Sequence, residues 1–166
     1  MLNVQPIEFH GSHAALVPLS LDHHDDLVQA VQDGQLWQLW YTFIPRPEGM
    51  RQEIERRLSL QRQGSMLPFA VLNASGQAVG MTTYMNIDAP NRRVEIGSTW
   101  YRRSVQRTPI NTECKRMLLA HAFESLNCIA VEFRTHWFNH ASRAGIERLG
   151  AKLDGVLRAH QIAANG

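Results

Sequence analysis

Residues 104–124, SVQRTPINTECKRMLLAHAFE, join an arginine-rich loop to a helix, and reading them decides how the rest of the chain is organised. Leu119, Ala122, Phe123 and Leu126 recur at i, i+3, i+4 and i+7, the spacing of a helix with one packed face. Thr108 stands where an N-cap would accept from backbone N–H groups. Pro109 suits the first helical position, where a missing N–H is no loss. Arg102, Arg103 and Arg107 crowd the same entrance. Cations favour helix C-termini, because the N-terminal end of the helix dipole is already positive. An anion between the arginines resolves the conflict, and helix-start N–H groups reinforced by guanidinium suit a phosphate or pyrophosphate. A solvated arginine cluster on a surface turn accounts for the same residues equally well.

Working outward, the residues after this helix, CIAVEFRT, alternate Ile129, Val131 and Phe133 with Ala130, Glu132 and Arg134, as a strand does. The residues before it, LPFAVLNASGQAVGMTTYMNID and NRRVEIGSTWY, carry β-type runs separated by turn signals at NASG and at Ala89-Pro90-Asn91. The expectation is an antiparallel meander of three strands whose last member enters a βαβ unit with parallel pairing. Upstream, HAALVPL reads as a first strand. SLDHHDDLVQAVQDG reads as a helix begun by Ser20 or Asp22 and closed by Gly34. Pro47 opens a second helix on Met50, Ile54 and Leu58, ended by Gly64. Downstream, FNHASRAGIERLGA is a helix with Asn139 as N-cap and Gly150 as its C′ residue, and KLDGVLRAHQ starts a final strand. The fold class is mixed α/β.

A chain of 166 residues suits a single domain, here residues 1–166, burying ~70% of its unfolded surface around one core. Its net charge of +2 and pI near 8.8 lack the lysine-rich composition of a dedicated nucleic-acid binder. Cys114 and Cys128 lack the spacing of a disulfide framework or metal site and read as reduced, buried thiols. Of the eight histidines His23 and His24 are adjacent and the others scattered, and no predicted helix carries an H-x-x-x-H or H-E-x-x-H pair, so no metal is assigned. No basic leader with an apolar core and no run approaching ~20 apolar residues is present, which gives the expectation of a cytosolic protein without a membrane partner. Neither G-x-x-x-x-G-K-[ST] nor G-x-G-x-x-G occurs, so the anion belongs to some other phosphate carrier.

Element order and local sequence resemble the GNAT superfamily of acyl-CoA-dependent N-acetyltransferases, in its RimJ/RimL-like branch. The likeness runs from HAALVPLSLDHHDDL through VEIGSTWY and VQRTPINTE to VEFRTHWFNHASRAGIERLGA. It implies acetyl-CoA as co-substrate and an amine as acceptor, with strands four and five splayed so that pantetheine lies between them. On that resemblance the loop that wraps the CoA pyrophosphate is Gln106, Arg107, Thr108, Pro109, Ile110 and Asn111, followed by Thr112. Pantetheine pairs with the backbone around Trp100, Tyr101 and Arg102. Asn139 and Ser142 match the position contacting the pantetheine arm or sulfur, and Arg143 reaches a CoA phosphate.

Two departures from the family pattern carry consequences. Pro109 and Asn111 replace the usual small residues, so one family hydrogen bond must be missing or replaced, with Thr108, Asn111 or Thr112 side chains as candidates. Ile146 stands where many members have a tyrosine that protonates the leaving thiolate, which turns attention to Ser142 or an ordered water. Transfer also requires a neutral amine, hence a base. Glu95, acting directly or through water, is the candidate; pairing with Arg92 or Arg93 is its structural alternative. Glu132 reads as structural, and His136 and His140 as loop or cap residues near the proposed thioester. Trp37, Trp40 and Tyr41 serve as core, as acceptor wall, or as both, since aromatic rings bury area while keeping a polar handle.

Function therefore divides between an N-acetyltransferase acting on a protein N-terminus, amino acid or small amine by direct attack, and a non-catalytic acyl-CoA-binding or interaction module. A nucleic-acid-associated protein would need a broad basic face, whereas these arginines gather at one loop. The family normally adds a seventh strand after the last one read here. The expectation is that a natural C-terminal segment is missing or that a homodimer partner covers an open sheet edge.

Overall fold

In the computed structural model, which describes residues 3–162, six strands form one sheet in the order of the chain. They are β1 (Phe9–His10), β2 (Ala15–Pro18), β3 (Met66–Leu72), β4 (Ala78–Asp88), β5 (Arg93–Tyr101) and β6 (Ala130–Glu132). Every neighbouring pair is antiparallel except β5 with β6, which is parallel. The polar leader hid β1. The expected fourth and fifth strands are consequently β5 and β6, and the expected meander is β3–β4–β5.

Four α-helices accompany the sheet: α1 (His24–Gln32), α2 (Met50–Arg62), α3 (Pro109–Ala120) and α4 (His140–Arg148). Ser20 caps the short helical turn that leads into α1. Gly34, with φ +94°, takes the left-handed conformation after α1 ends; only glycine adopts it without penalty. Helices α1 and α2 cover one face of the sheet, where Leu27, Val31, Met50 and Ile54 pack on Ala70, Met81 and Trp100. Helix α3 covers the other, with Cys114, Leu118 and Ala122 on Leu16, Phe69, Tyr84 and Ile96.

The packed face of α3 differs from the expected one. Ile110, Cys114, Leu118 and Ala122 are its buried apolar positions, four residues apart, while Phe123 is exposed. A π-helical turn at His121–Ser125 adds a residue to the last turn and rotates the positions after Ala120 away from the simple 3.6 period. Residues 152–161 form no strand. Their apolar members, Leu153, Val156 and Leu157, do not alternate as one face of a strand would, and their side chains stay exposed. The remaining residues 163–166, on which the missing-segment expectation bears, lie outside the described part.

Candidate active site

Strands β5 and β6 pair at Arg93 with Ala130, Val94 with Val131 and Glu95 with Glu132, and then part. From Ile96 to Tyr101 the β6-facing edge of β5 has no strand partner, while its other edge continues to pair with β4. The result is a wedge floored by α3 and opening toward the loop that leads into it. Inside the wedge β5 is irregular. Met81 pairs with Trp100 and Thr83 with Gly97, so Ser98 and Thr99 together oppose Thr82. Ser98 has φ +48°, and the bulge turns the strand edge locally. Gly80 is required alongside: a Cβ there would sit 2.2 Å from the Trp100 carbonyl oxygen.

Glu95 lies at the fork, in the last paired position. It is buried, and its Oε2 accepts from Asn86 Nδ2 at 2.7 Å and faces Arg134 Nε at 3.5 Å. Its cationic neighbour is therefore Arg134 and not Arg92 or Arg93. Arg93 instead bridges Asp88 and Glu132, at 2.8 and 3.0 Å, which makes Glu132 a clamp across the paired strands.

The loop from Arg102 to Thr108 is anchored from α1. Asp33 Oδ2 accepts from Arg102 Nε and from the Ser104 backbone N–H, both at 3.0 Å, and the Asp33 carbonyl accepts from Arg103 N at 3.2 Å. The Ser104 side chain and N–H, then Arg102, pull the Asp33 carboxyl down to about 2. Arg102 is thereby neutralised, leaving Arg103 and Arg107 as the unpaired cations at the entrance among the described residues. Gln106 Nε2 donates to the Tyr101 carbonyl at 2.9 Å, closing the end of β5. Arg107 sits at φ +61°, in the left-handed region that few side chains adopt.

Thr108 occupies the N-cap position of α3 but does not cap it, because its hydroxyl donates to the Val105 carbonyl at 2.6 Å. The first-turn N–H groups of Ile110 and Asn111 thus have no side-chain acceptor, and Pro109 supplies none. Of the side chains able to compensate for Pro109, Thr108 is engaged, and Thr112 Oγ1 accepts from Arg148 Nη2 at 3.4 Å. The Asn111 carboxamide makes no hydrogen bond among the described residues and faces Gly145 of α4. A depression of about 300 Å³ flanks this helix start, between Ser12, Asn73, Ser75 and Pro109. The start of α3 is held from the far side by Glu113, whose carboxylate accepts from the backbone N–H of Ser12, His13 and Ala14 at 2.7–2.9 Å.

On the far side of the wedge, Asn139 caps α4 by accepting from Ser142 N at 3.1 Å, so its carboxamide oxygen is committed locally. Ser142 is half-buried, with its hydroxyl free of partners among the described residues. Arg143 stacks its guanidinium 3.9 Å above the Trp137 ring. Exposed Trp40 and half-buried Tyr41 gather with His136 and Phe138 into an aromatic group, ring centroids 5.2–6.5 Å apart. Trp37 departs from them and packs half-buried on the α1–α2 core.

Three polar residues at the wedge went unread in the sequence. Glu53 and Arg57 of α2 form a buried ion pair at 2.7 Å, and Arg57 Nη1 reaches Thr83 Oγ1 at 2.9 Å and the Ser98 carbonyl at 3.1 Å. Lys115 is buried in α3, with Nζ donating to Thr99 Oγ1 at 2.7 Å and Thr82 Oγ1 at 3.2 Å. A signal was available for Lys115: it lies between Cys114 and Leu118 on the packed face, one turn after Asn111. Glu53 and Arg57 have an i, i+4 spacing that reads as an ordinary surface pair.

Comparison with known proteins bears on this arrangement. A family model described as an acetyltransferase (GNAT) domain matches residues 14–152. The "Putative ribosomal N-acetyltransferase YdaF" of Bacillus subtilis is 35% identical over 83 residues, half of this chain, and the chain spans 45% of that relative's length. A GCN5-related N-acetyltransferase from Brucella melitensis superposes with a TM-score of 0.83 and 30% identity, over 97% of this chain and 74% of its own. RimL, a ribosomal L7/L12 α-N-protein acetyltransferase, shares the fold at a TM-score of 0.80 and 19% identity, over 92% of this chain and 84% of its own.

Proposed function

Because the chain belongs to the acetyltransferase (GNAT) family, with its likeness to the RimJ/RimL-like members, we propose that it transfers the acetyl group of acetyl-CoA to a primary amine by direct attack. The observation that carries the reading is the parting of β5 from β6 beyond Glu95 and Glu132. It leaves, among the described residues, a β5 edge without a strand partner beside the uncapped start of α3, a combination suited to an amide-bearing arm that ends in phosphates.

The residues present fit such a group. The N–H groups of Ile110 and Asn111, the free Asn111 carboxamide, and Arg103 and Arg107 would hold the pyrophosphate end. The β5 edge from Ile96 to Trp100 would pair with the pantetheine amides, and Ser142 would face the arm from α4. When bound, acetyl-CoA supplies an activated acyl group as a thioester. The protein's own work is to orient the amine and manage its protons. Glu95, at the apex of the wedge and bonded through one oxygen only, is placed to accept a proton from the incoming ammonium, directly or through water. The aromatic group of Trp40 and Tyr41 would wall the side where an acceptor enters.

A protein α-amine is the first acceptor class to examine, given the activities named for the ribosomal relatives. The test is an acetyl-CoA-consumption screen over N-terminal peptides, amino acids and small amines, with products identified by mass spectrometry. An acetylated amine supports the proposal. Tight CoA binding without turnover of any amine would favour a binding module instead.

A further inference from the structure

Of the 17 basic residues in the chain, only Lys115 and Lys152 are lysines, and one of the two is buried. Lys115 has no carboxylate partner among the described residues. Its Nζ lies between Thr99, on the stretch of β5 that has lost β6, and Phe133, the residue that follows β6, with the ring centroid 5.9 Å away. It therefore spans the floor of the wedge, one helical turn below the free carboxamide of Asn111. Two of its N–H groups are accounted for by the Thr99 and Thr82 hydroxyls, which also share a hydrogen bond of 2.8 Å with each other. The third is unassigned. Burying a cation without a counter-charge is expensive, and hydrogen bonds to two hydroxyls offset only part of that cost.

We propose that Lys115 is the proton donor to the thiolate that leaves when the acetyl group is transferred, an inference that rests on acetyl-CoA occupying the wedge. As the amine nitrogen bonds to the acyl carbon, the C–S bond breaks with its electron pair passing to sulfur. A proton then moves from Lys115 Nζ to that sulfur. The neutral lysine takes up, through water or Glu95, the proton that the acceptor nitrogen loses on becoming an amide. Counted from the neutral amine, no proton or electron is left over and Lys115 returns to its starting form; the proton that Glu95 took from the ammonium passes to solvent.

The surroundings suit this exchange. Burial pulls Lys115 down to about 7, opposed by the influence of the Cys114 thiol. Cys114, on its own helix, is the ionisable group acting on it; β4 and β5 present the Thr82 and Thr99 hydroxyls, and the segment after β6 presents the Phe133 ring. An ammonium of that acidity gives its proton downhill to an alkyl thiolate, whose thiol resembles cysteine at ~8.5. Other acidic hydrogens nearby serve less well: burial raises both the Tyr101 hydroxyl and the Cys114 thiol, the latter to about 12.

Two lysines make the test direct. Protein labelled with ¹³C-lysine gives two side-chain signals, assigned with Lys115→Arg. The Lys115 signal is expected to titrate near 7 and to shift when CoA is added, but not when adenosine 3′,5′-bisphosphate, which lacks the arm, is added. Lys115→Arg keeps the charge and cannot release a proton, so kcat should fall ~10²-fold or more with little change in KM for acetyl-CoA. A Lys115 signal unmoved by CoA that calorimetry shows to be bound overturns the proposal. So does an arginine variant as active as wild type. Absence of any CoA binding overturns instead the functional reading on which this one stands.

Discussion

Arg57 and Ser98 meet through the sheet: the buried guanidinium donates through Nη1 to the Ser98 carbonyl at 3.1 Å, at the point where β5 bulges with φ +48°. The same guanidinium is neutralised by Glu53 at 2.7 Å. A helix on the outer face of the sheet thus holds the one irregular turn of the strand that borders the wedge. Deleting Arg57 leaves Glu53 with only its half-exposed partner Arg56 and releases the bulge. Arg57→Ala should lower stability by about 3–5 kcal/mol in urea unfolding. A loss under 1 kcal/mol would show that the pair does not support the strand.

Arg107, at the mouth of the wedge, tests the phosphate end. With Arg102 bound to Asp33, Arg107 and Arg103 are the cations left to meet an anion. Arg107→Glu should weaken CoA binding by ~1–3 kcal/mol in isothermal calorimetry. Unchanged affinity would remove Arg107 from the site.

Glu95→Gln separates chemistry from binding. Glutamine can retain one hydrogen-bonding oxygen toward Asn86 but cannot take a proton at neutral pH. Acetyl transfer should slow by ~10²–10⁴-fold while CoA affinity stays nearly the same. If the two proteins keep identical rates across the pH range, the base lies elsewhere.

Asp33 makes a prediction about acid. Its folded carboxyl is depressed to about 2 from 3.8 by Ser104 and Arg102, so between those values the unfolded chain binds more protons than the folded one. Stability from this group is present above about pH 4 and is lost as pH falls toward 2. Asp33→Asn should flatten that part of the stability–pH curve and loosen the Arg102–Ser104 loop, read as weaker CoA binding. Parallel acid limbs in the two proteins would show that the anchor contributes nothing.

Helices α1, α2 and α4, the meander and the parallel β5–α3–β6 unit were legible in the sequence, because each carries local signals: Ser20 and Asn139 at helix starts, Gly34 and Gly150 after helix ends, and the Asn73–Gly76 turn. Such signals act over a few residues and need no tertiary partner. The basic loop before α3 was legible for the same reason, as a run of charges next to a proline.

What the sequence left undetermined depends on groups that meet only across the fold. Arg102 looked like a free cation until α1 brought Asp33 to it, 69 residues away. Thr108 had the right position to cap α3, but the path of the loop turned its hydroxyl toward Val105. Lys115 drew no reading in the sequence, and only the packing of α3 on the sheet beneath the parted strands made it a buried cation at the floor of a wedge. Local chemistry determined which elements form. The energies that assign a charge its partner, or leave it without one, depend on distance and burial, and those arise from packing.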